Sequence, residues 1–321
     1  PLMLNRIGLS ASYSPDDDLA PDERLHVGLR YDRYDWRASA TWNKADFYDL
    51  FGPTKRSRKG YSAGVGWGRT LFDDRPRKLR LDLDLTYYGD LEVLPDYQNV
   101  ASPVSRLLTF QGELEYSNVR SSLGHVDDEK GHRFKAVGVV DTSKDGTFPK
   151  LVAKYDQGFA LPLAHSSVWL RAAAGVGSGD RLNPLSNLFV GGFGNNWVDQ
   201  GSAKRYREWW SFPGVEINEI FGKTVGKLMV EWNLPPLRFR RAGSPGFHAT
   251  WARTSLFASG VSTDFEDNAL RREVGNVGIQ VDVRLSMLSR LQMTLSVGYA
   301  TAFERGFDSR DEFMASLKVL Q

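Results

Sequence analysis

The chain has 321 residues with 41 Lys plus Arg against 39 Asp plus Glu, a formal net charge of +2, so overall charge gives no argument for a nucleic-acid partner. Cysteine is absent, which excludes disulfides and thiolate metal sites. Hydrophobic residues make up 41% of the chain, yet no run approaches the roughly 20 apolar residues of a spanning helix, which excludes a helical membrane protein.

Fourteen segments have the two-residue period of a β-strand. The first two fall near 3–14 and 23–33, where Leu25, Val27, Leu29 and Tyr31 alternate with His26, Gly28 and Arg30. The third and fourth cover 34–46 and 59–71. The fifth, 76–89, contains Leu79-Arg-Leu-Asp-Leu-Asp-Leu-Thr-Tyr87, with every second side chain apolar and every intervening one charged or polar. The sixth to ninth lie near 106–118, 131–142, 148–161 and 165–178. After a long gap come 223–234, 248–262, 274–286, 290–303 and 311–320. The clearest are Val277 to Leu285, opposed by Gly278, Gln280, Asp282 and Arg284, and Leu291 to Tyr299, opposed by Gln292, Thr294 and Ser296. No amphipathic helix of any length is evident.

Strands of about 10–13 residues exceed the usual five or six of soluble sheets and match the roughly 9–11 that a tilted strand needs to cross a bilayer. The expected fold is therefore all-β, one antiparallel transmembrane β-barrel domain over 1–321, with apolar side chains toward lipid and polar ones toward the lumen. A soluble two-sheet sandwich is the alternative. Connections after odd strands (15–22, 45–58, 90–105, 179–222 among them) are mostly longer than those after even strands. That asymmetry predicts long outside loops and short periplasmic turns, although 119–130 and 235–247 are long for the short side.

The connection 179–222 is too long for a casual loop. It carries Leu188-Phe-Val-Gly-Gly-Phe-Gly-Asn-Asn-Trp-Val-Asp199, then Arg205-Tyr-Arg-Glu-Trp-Trp210, and is expected to fold inward and plug the lumen; an ordinary outside loop is the alternative. Lys55, Arg56, Arg58 and Lys59 form a basic cluster in an outside loop, where lipopolysaccharide phosphates or simple solvation would account for it.

Signals for catalysis are poor. The five histidines (26, 125, 132, 165 and 248) have no shared metal-ligand spacing, so no metal or cofactor is expected. Gly175-Val-Gly-Ser-Gly-Asp180 lacks the Lys of a phosphate loop. Asp16 to Asp18 has the acidity for Ca²⁺ but reads more simply as a solvated loop. A lipid hydrolase would need a Ser/His pair, and Ser166 and its neighbour His165 point to opposite faces of a strand.

Three segments resemble the bacterial surface antigen superfamily of outer-membrane barrels, the BamA-TamA type. Phe189-Val-Gly-Gly192 is similar to the lead into that family's signature loop. Lys227-Leu-Met-Val-Glu-Trp-Asn-Leu-Pro-Pro236 is similar to the strand that follows it. Gly112-Glu-Leu-Glu-Tyr116 through Lys130-Gly-His-Arg-Phe134 is similar to a family strand–turn unit. Ala45-Asp-Phe-Tyr-Asp-Leu-Phe-Gly-Pro-Thr54 and Arg58-Lys-Gly-Tyr61 look like the branch fused to a periplasmic TolB-like propeller. The resemblance implies a Gram-negative outer-membrane location and a barrel of 16 strands whose first hairpin precedes Pro1; a true 14-strand barrel is the alternative. It also implies insertion or translocation of a polypeptide or lipid without covalent chemistry, with outer-membrane lipids and an upstream propeller as partners. A structural anchor or passive pore is the other functional reading.

The resemblance further implies a signature loop at Gly191, Gly192, Asn195, Asn196, Trp197 and Asp199. In the family an Arg at the loop tip docks on an acid in the barrel wall. Here Trp197 stands in the Arg position and Ala258 in the wall position, so the resemblance implies that both halves of that lock are replaced. Arg205 or Arg207 against Glu231 or Asp282 is the expected substitute pairing.

Overall fold

The computed structural model describes residues 5–13, 24–43, 58–93, 104–194, 198–199, 202–244, 246–288 and 291–320. Its strands in chain order are β1 (Asn5–Tyr13), β2 (Leu25–Arg33), β3 (Trp36–Trp42), β4 (Arg58–Asp74), β5 (Arg77–Val93), β6 (Leu107–Arg120), β7 (Lys130–Ser143), β8 (Gly146–Ala160) and β9 (Ser167–Gly177). Within the long connection lie β10 (Leu188–Val190), β11 (Val198–Asp199) and β12 (Ile220–Gly222). The chain continues with β13 (Thr224–Asn233), β14 (Leu237–Ser244), β15 (Phe247–Thr263), β16 (Glu273–Met287), β17 (Leu291–Glu304) and β18 (Arg310–Leu320). Among the described residues the only helical elements are two 3₁₀ turns, Pro184–Ser186 and Arg205–Arg207.

Sixteen strands form one sheet in the order β1 to β9, β13, β15, β16, β17, β18 and β11, with β14 paired to β15. Every pairing is antiparallel except β11 on β18. The sheet ends at β1 on one side and at the β18–β11 pair on the other, and among the described residues no pairing joins β1 to β18. Fourteen of its strands are the segments expected from the alternation.

The other two correct the sequence reading. The stretch 235–247, expected to be a connection, contains β14. Pro235 and Pro236 have no amide donor and interrupt the ladder, after which the chain resumes pairing from Leu237↔Ala252. β11 is a two-residue strand of the long connection laid along Leu317 and Lys318.

The sheet has two contrasting faces. On β13, Lys227, Met229, Glu231 and Asn233 are buried on the face that carries the long loop, the inner face here. Leu228, Val230 and Trp232 point the other way and are 59%, 45% and 39% exposed. The same phase holds on β16, where Asn276, Gln280 and Asp282 are buried inward while Val277 and Ile279 are exposed outward. Strands β1 to β3 are largely accessible on both faces.

Glycines on the inner face let large groups cross. Gly66 on β4 lies between Arg37 of β3 and Asp84 of β5 in register, and Arg37 Nε reaches Asp84 Oδ1 at 2.7 Å over it. The Arg80–Asp82 pair lies beside Gly68 in the same way. These pairs occupy the polar phase of the Leu79–Tyr87 alternation. On β8, Gly158 lies under the ring of Trp169, which is fully buried. A Cβ at Gly158 would come within 2.5 Å of the Trp169 ring. Gly158→Val is therefore expected to destabilise the sheet by ~1–3 kcal/mol through overpacking, measured as a fall in denaturant midpoint at unchanged slope. An unchanged midpoint would show that the ring relocates freely.

Candidate functional site

The long connection folds onto the inner face. Its base is a two-stranded ribbon, β10 on β12, with Phe189 and Phe221 in contact across it. Gly191 and Gly192 follow at a close crossing of the two arms: a Cβ on Gly191 would overlap the Glu216 carbonyl, and Gly192 has a φ of +66°. Gly191 donates to Trp210 O at 2.9 Å and Gly192 to Val215 O at 3.0 Å, and Phe212 returns a bond to Gly192 O at 3.0 Å. Two apolar clusters hold the loop to the wall. Leu188, Val190, Phe212, Val215 and Ile220 pack on wall residues that include Val152, Val225 and Val261. Phe193 and Tyr206 pack on Met229, Phe257, Ala300 and Met314, with the Tyr206 and Phe257 rings stacked at 4.5 Å.

Between these clusters lies a charged network centred on Glu231, which is fully buried. Arg171 from β9 donates Nε to Glu231 Oε2 at 2.8 Å and Nη1 to Asp156 on β8 at 2.8 Å. Arg207 from the loop donates Nε to both Glu231 oxygens at 3.1 and 3.0 Å, and Nη2 to Oε1 at 2.5 Å. The Tyr206 hydroxyl adds a bond at 3.1 Å. On its other side Arg207 reaches Asp127 Oδ2 at 2.7 Å. Asp127 belongs to the turn between β6 and β7, so one loop guanidinium ties that turn to β13.

Lys204 Nζ meets Asp127 at 3.3 Å, Asn233 at 2.9 Å, Ser255 at 2.6 Å and Asp282 at 3.8 Å. Burial would raise the Asp127 carboxyl pKa, but the Arg207 and Lys204 cations outweigh it and hold the pKa well below the usual carboxylate range. Burial and the neighbouring Arg207 bring the Lys204 ammonium down to about 8, against the pull of Asp127, Asp282 and Glu231.

Wall side chains also satisfy the loop backbone. Lys227 Nζ donates to the carbonyls of Tyr206, Glu208 and Ser211. Asn276 donates to Pro213 O at 2.6 Å and Gln280 to Ala203 O at 2.9 Å. Glu312 on β18 accepts the amides of Phe193 at 3.0 Å and Gly214 at 2.9 Å. Nearer the loop base a second charged group joins Arg272 and Arg310 to Glu219 and Glu304, with Arg272–Glu304 at 2.8 Å.

The structure thus brings Arg207 and Glu231 together. Arg205 turns elsewhere and donates to Gly194 O at 3.0 Å. Asp282 is bonded by Gln280 and Ser296 and lies near Lys204. Asn195, Asn196 and Trp197 lie outside the described residues, and Asp199 contributes its backbone to β11. Lys55 and Arg56 also lie outside the described residues, while the backbones of Arg58 and Lys59 pair with Val93 and Glu92.

Ala258 corrects the expected position of the wall acid. It pairs with Val230 and Val277 on the outer face, so no side chain there can reach a loop on the inner face. The alignment is out of phase with the pleat, and its Ala says nothing about the presence of a lock. Asp127, Lys204, Lys227 and Glu312 were not singled out from the sequence. Lys227 and Glu312 lie in the polar phase of their strands, which was the available signal; Asp127 and Lys204 lie in connections that carry no period.

The candidate hydrolase pair is engaged otherwise. Ser166 Oγ donates to Asn233 O at 2.8 Å, and His165 Nδ1 meets both Glu129 at 2.7 Å and Ser122 Oγ at 3.1 Å. A nucleophile–base–acid relay needs opposite ring nitrogens, so this trio links two turns. No protein-family model matches the chain, and no curated protein is significantly similar to it.

Removing Glu231 leaves Arg171 and Arg207 facing each other in a buried space. Glu231→Ala is expected to cost ~3–5 kcal/mol and to expose 202–219 to protease while the strands stay resistant; equal protection in wild type and variant would refute the role of Glu231 in docking. Asp127 supplies a pH test. Because its folded carboxyl titrates below the unfolded value near ~3.9, its contribution is complete above that pH and is lost as pH falls through the lower folded value. The difference in loop protection between wild type and Asp127→Asn should be constant from pH 7 down to about 4 and vanish below it; a difference already lost near pH 5 would contradict the pairing.

Proposed function

We propose that the chain is a transmembrane β-barrel of the bacterial outer membrane, of the barrel-assembly superfamily, and that it assists insertion or translocation of polypeptides or lipids without covalent chemistry. One observation carries the membrane reading: the sheet is inside-out for a water-soluble protein. Its outer face exposes Leu228, Val230, Val277, Leu295, Val297 and Tyr299, whereas its inner face buries Glu231, Asn233, Gln280, Asp282 and Ser296. In water that outer face would be a contiguous apolar patch beyond what soluble monomers expose; in a bilayer it is the lipid contact, and each strand's ladder satisfies the backbone of its neighbour. Strand lengths support the reading, with β4, β5 and β15 at 17 residues each. The two-residue turns at 34–35 and 75–76 lie at one end of the sheet and the long loop at the other, while the two-residue turn at 144–145 shares the loop's end.

The superfamily reading draws its support from the docked loop. A loop arginine on a wall acid, Arg207 on Glu231, stands in a loop opened by Gly191-Gly192, which is the kind of lock the resemblance implies with different residues supplying it. The docked Arg207 supports this reading over a passive anchor.

Val230→Arg tests the membrane reading. At mid-bilayer depth it should cost ~2–4 kcal/mol, seen as loss of the folded, heat-modifiable band in lipid vesicles. A variant as stable as wild type, or detergent-free monomeric wild type, would overturn it. Activity is tested separately by reconstituting the full chain in liposomes with an unfolded eight-stranded outer-membrane barrel. Accelerated folding of that barrel supports the insertase reading, and a rate equal to empty liposomes overturns it.

A further inference from the structure

Arg253 on β15 stands apart from the charged network around it. Its side chain is 2% exposed, yet among the described residues it makes no hydrogen bond, and its Nε and Nη2 are buried without an acceptor. Those two nitrogens form one edge of the guanidinium, the same edge by which Arg207 grips Glu231. A buried donor pair left open in this way costs free energy, so the partner that fills it is to be sought in another arrangement of the same groups.

Two acids flank Arg253. Asp282 is opposite it in register on β16 and already receives Gln280 and Ser296. Asp127 Oδ2 lies 3.7 Å from Arg253 Nη1, beyond hydrogen-bond reach. That oxygen is held by the loop instead, by Arg207 Nη2 at 2.7 Å and Lys204 Nζ at 3.3 Å. Three cations therefore converge on one carboxylate oxygen, and the two that bond to it belong to the loop. Arg133, on β7 beside the same turn, is taken by Asp128.

When the loop leaves the inner face, Lys204 and Arg207 leave with it. Glu231 keeps Arg171 at 2.8 Å. Asp127 loses both bonded cations, and the nearest cation left to it is Arg253, whose open edge has the geometry that receives a carboxylate. A buried carboxylate without a cation is strongly unfavourable, so the shift that closes the 3.7 Å gap is downhill. In the docked state Arg253 instead faces two like charges, Arg207 and Lys204, across Asp127.

We propose that Arg253 is the reserve partner of Asp127: the acid is held by Arg207 and Lys204 while the loop is docked, and passes to Arg253 when the loop lifts off the inner face. The loop is then a latch with two paired states, because the open state no longer strands the Asp127 carboxylate. Release still breaks the Arg207–Glu231 bonds, so the docked state is the resting one. Neither the membrane reading nor the superfamily reading enters this exchange.

The test is the opening equilibrium of 202–219, read by hydrogen exchange of its amides in the folded full chain, with the strand amides as an internal control for folding. R253Q removes the reserve partner, so the loop should open at least about threefold less often than in wild type. R253M, which leaves no buried donor behind, should do the same, and losing an unpaired buried cation to an apolar side chain of similar length is not expected to unfold the sheet. In a D127N background the same substitutions should change opening by less than about 1.5-fold, because the acid that is exchanged is gone. A static support of Asp127 by Arg253 has the opposite sign. More frequent opening in R253Q and R253M with the strands still protected, unchanged opening, or an equal effect with and without Asp127 would each overturn the proposal.

Discussion

The fully buried Glu231 carboxylate sets the terms for everything packed on the inner face. A carboxylate removed from water is tolerable only when cations and hydrogen-bond donors surround it. The wall supplies one, Arg171 at 2.8 Å. The remaining lone pairs face the loop side of the sheet, and the side chains that reach them, Arg207 and Tyr206, come from the loop. The loop is thus a required part of the inner face, because without it the wall would hold a half-satisfied ionic network.

The obligation is mutual. A loop laid across a sheet cannot join its ladder, so its backbone groups need side-chain partners. Lys227, Asn276, Gln280 and Glu312 provide them from three strands, β13, β16 and β18, in each case from the polar phase of the alternation. The apolar residues in that phase, Met229, Phe257 and Met314, lie where the loop presents Phe193 and Tyr206. The inner face is therefore patterned for the loop residue by residue, which a generic polar pore lining would not require. An activity that moves material past this face must first break contacts with at least four strands together.

How far this was legible in the sequence follows from where each signal resides. Alternation is local, so Leu79 to Tyr87 or Val277 to Leu285 announced both a strand and its two faces. That the loop turns back onto the strands was readable from its length and aromatics, and Glu231 and Arg207 from being a charge in the polar phase and a charge in that loop. The failures have physical causes. Pro235-Pro236 reads as a stop because proline lacks a donor, yet two residues later the chain pairs again as β14. Ala258 was compared by counting along the chain, and a shift of one residue moves a side chain through the sheet. Asp127 belongs to an aperiodic turn, and its meeting with Arg207 is made only by the fold.

The two halves of the sheet differ in what holds them. From β6 to β18 the inner face is buttressed by the loop, by its two apolar clusters and by the Glu231 network. From β1 to β5 the inner-face bonds are pairs such as Arg37–Asp84 and Arg80–Asp82, each still partly in contact with solvent. Ion pairs at that exposure contribute little, and β1 to β3 bury almost nothing on either face. Cohesion there comes chiefly from the backbone ladder, and resistance to local opening follows the density of buried contacts. The opposite edge is the stiffer one: β18 is tied to the loop through Glu312 and flanked by β11. If the sheet opens at one of its ends, the physical asymmetry assigns the movement to the β1 side, with β18 and the docked loop as the fixed frame.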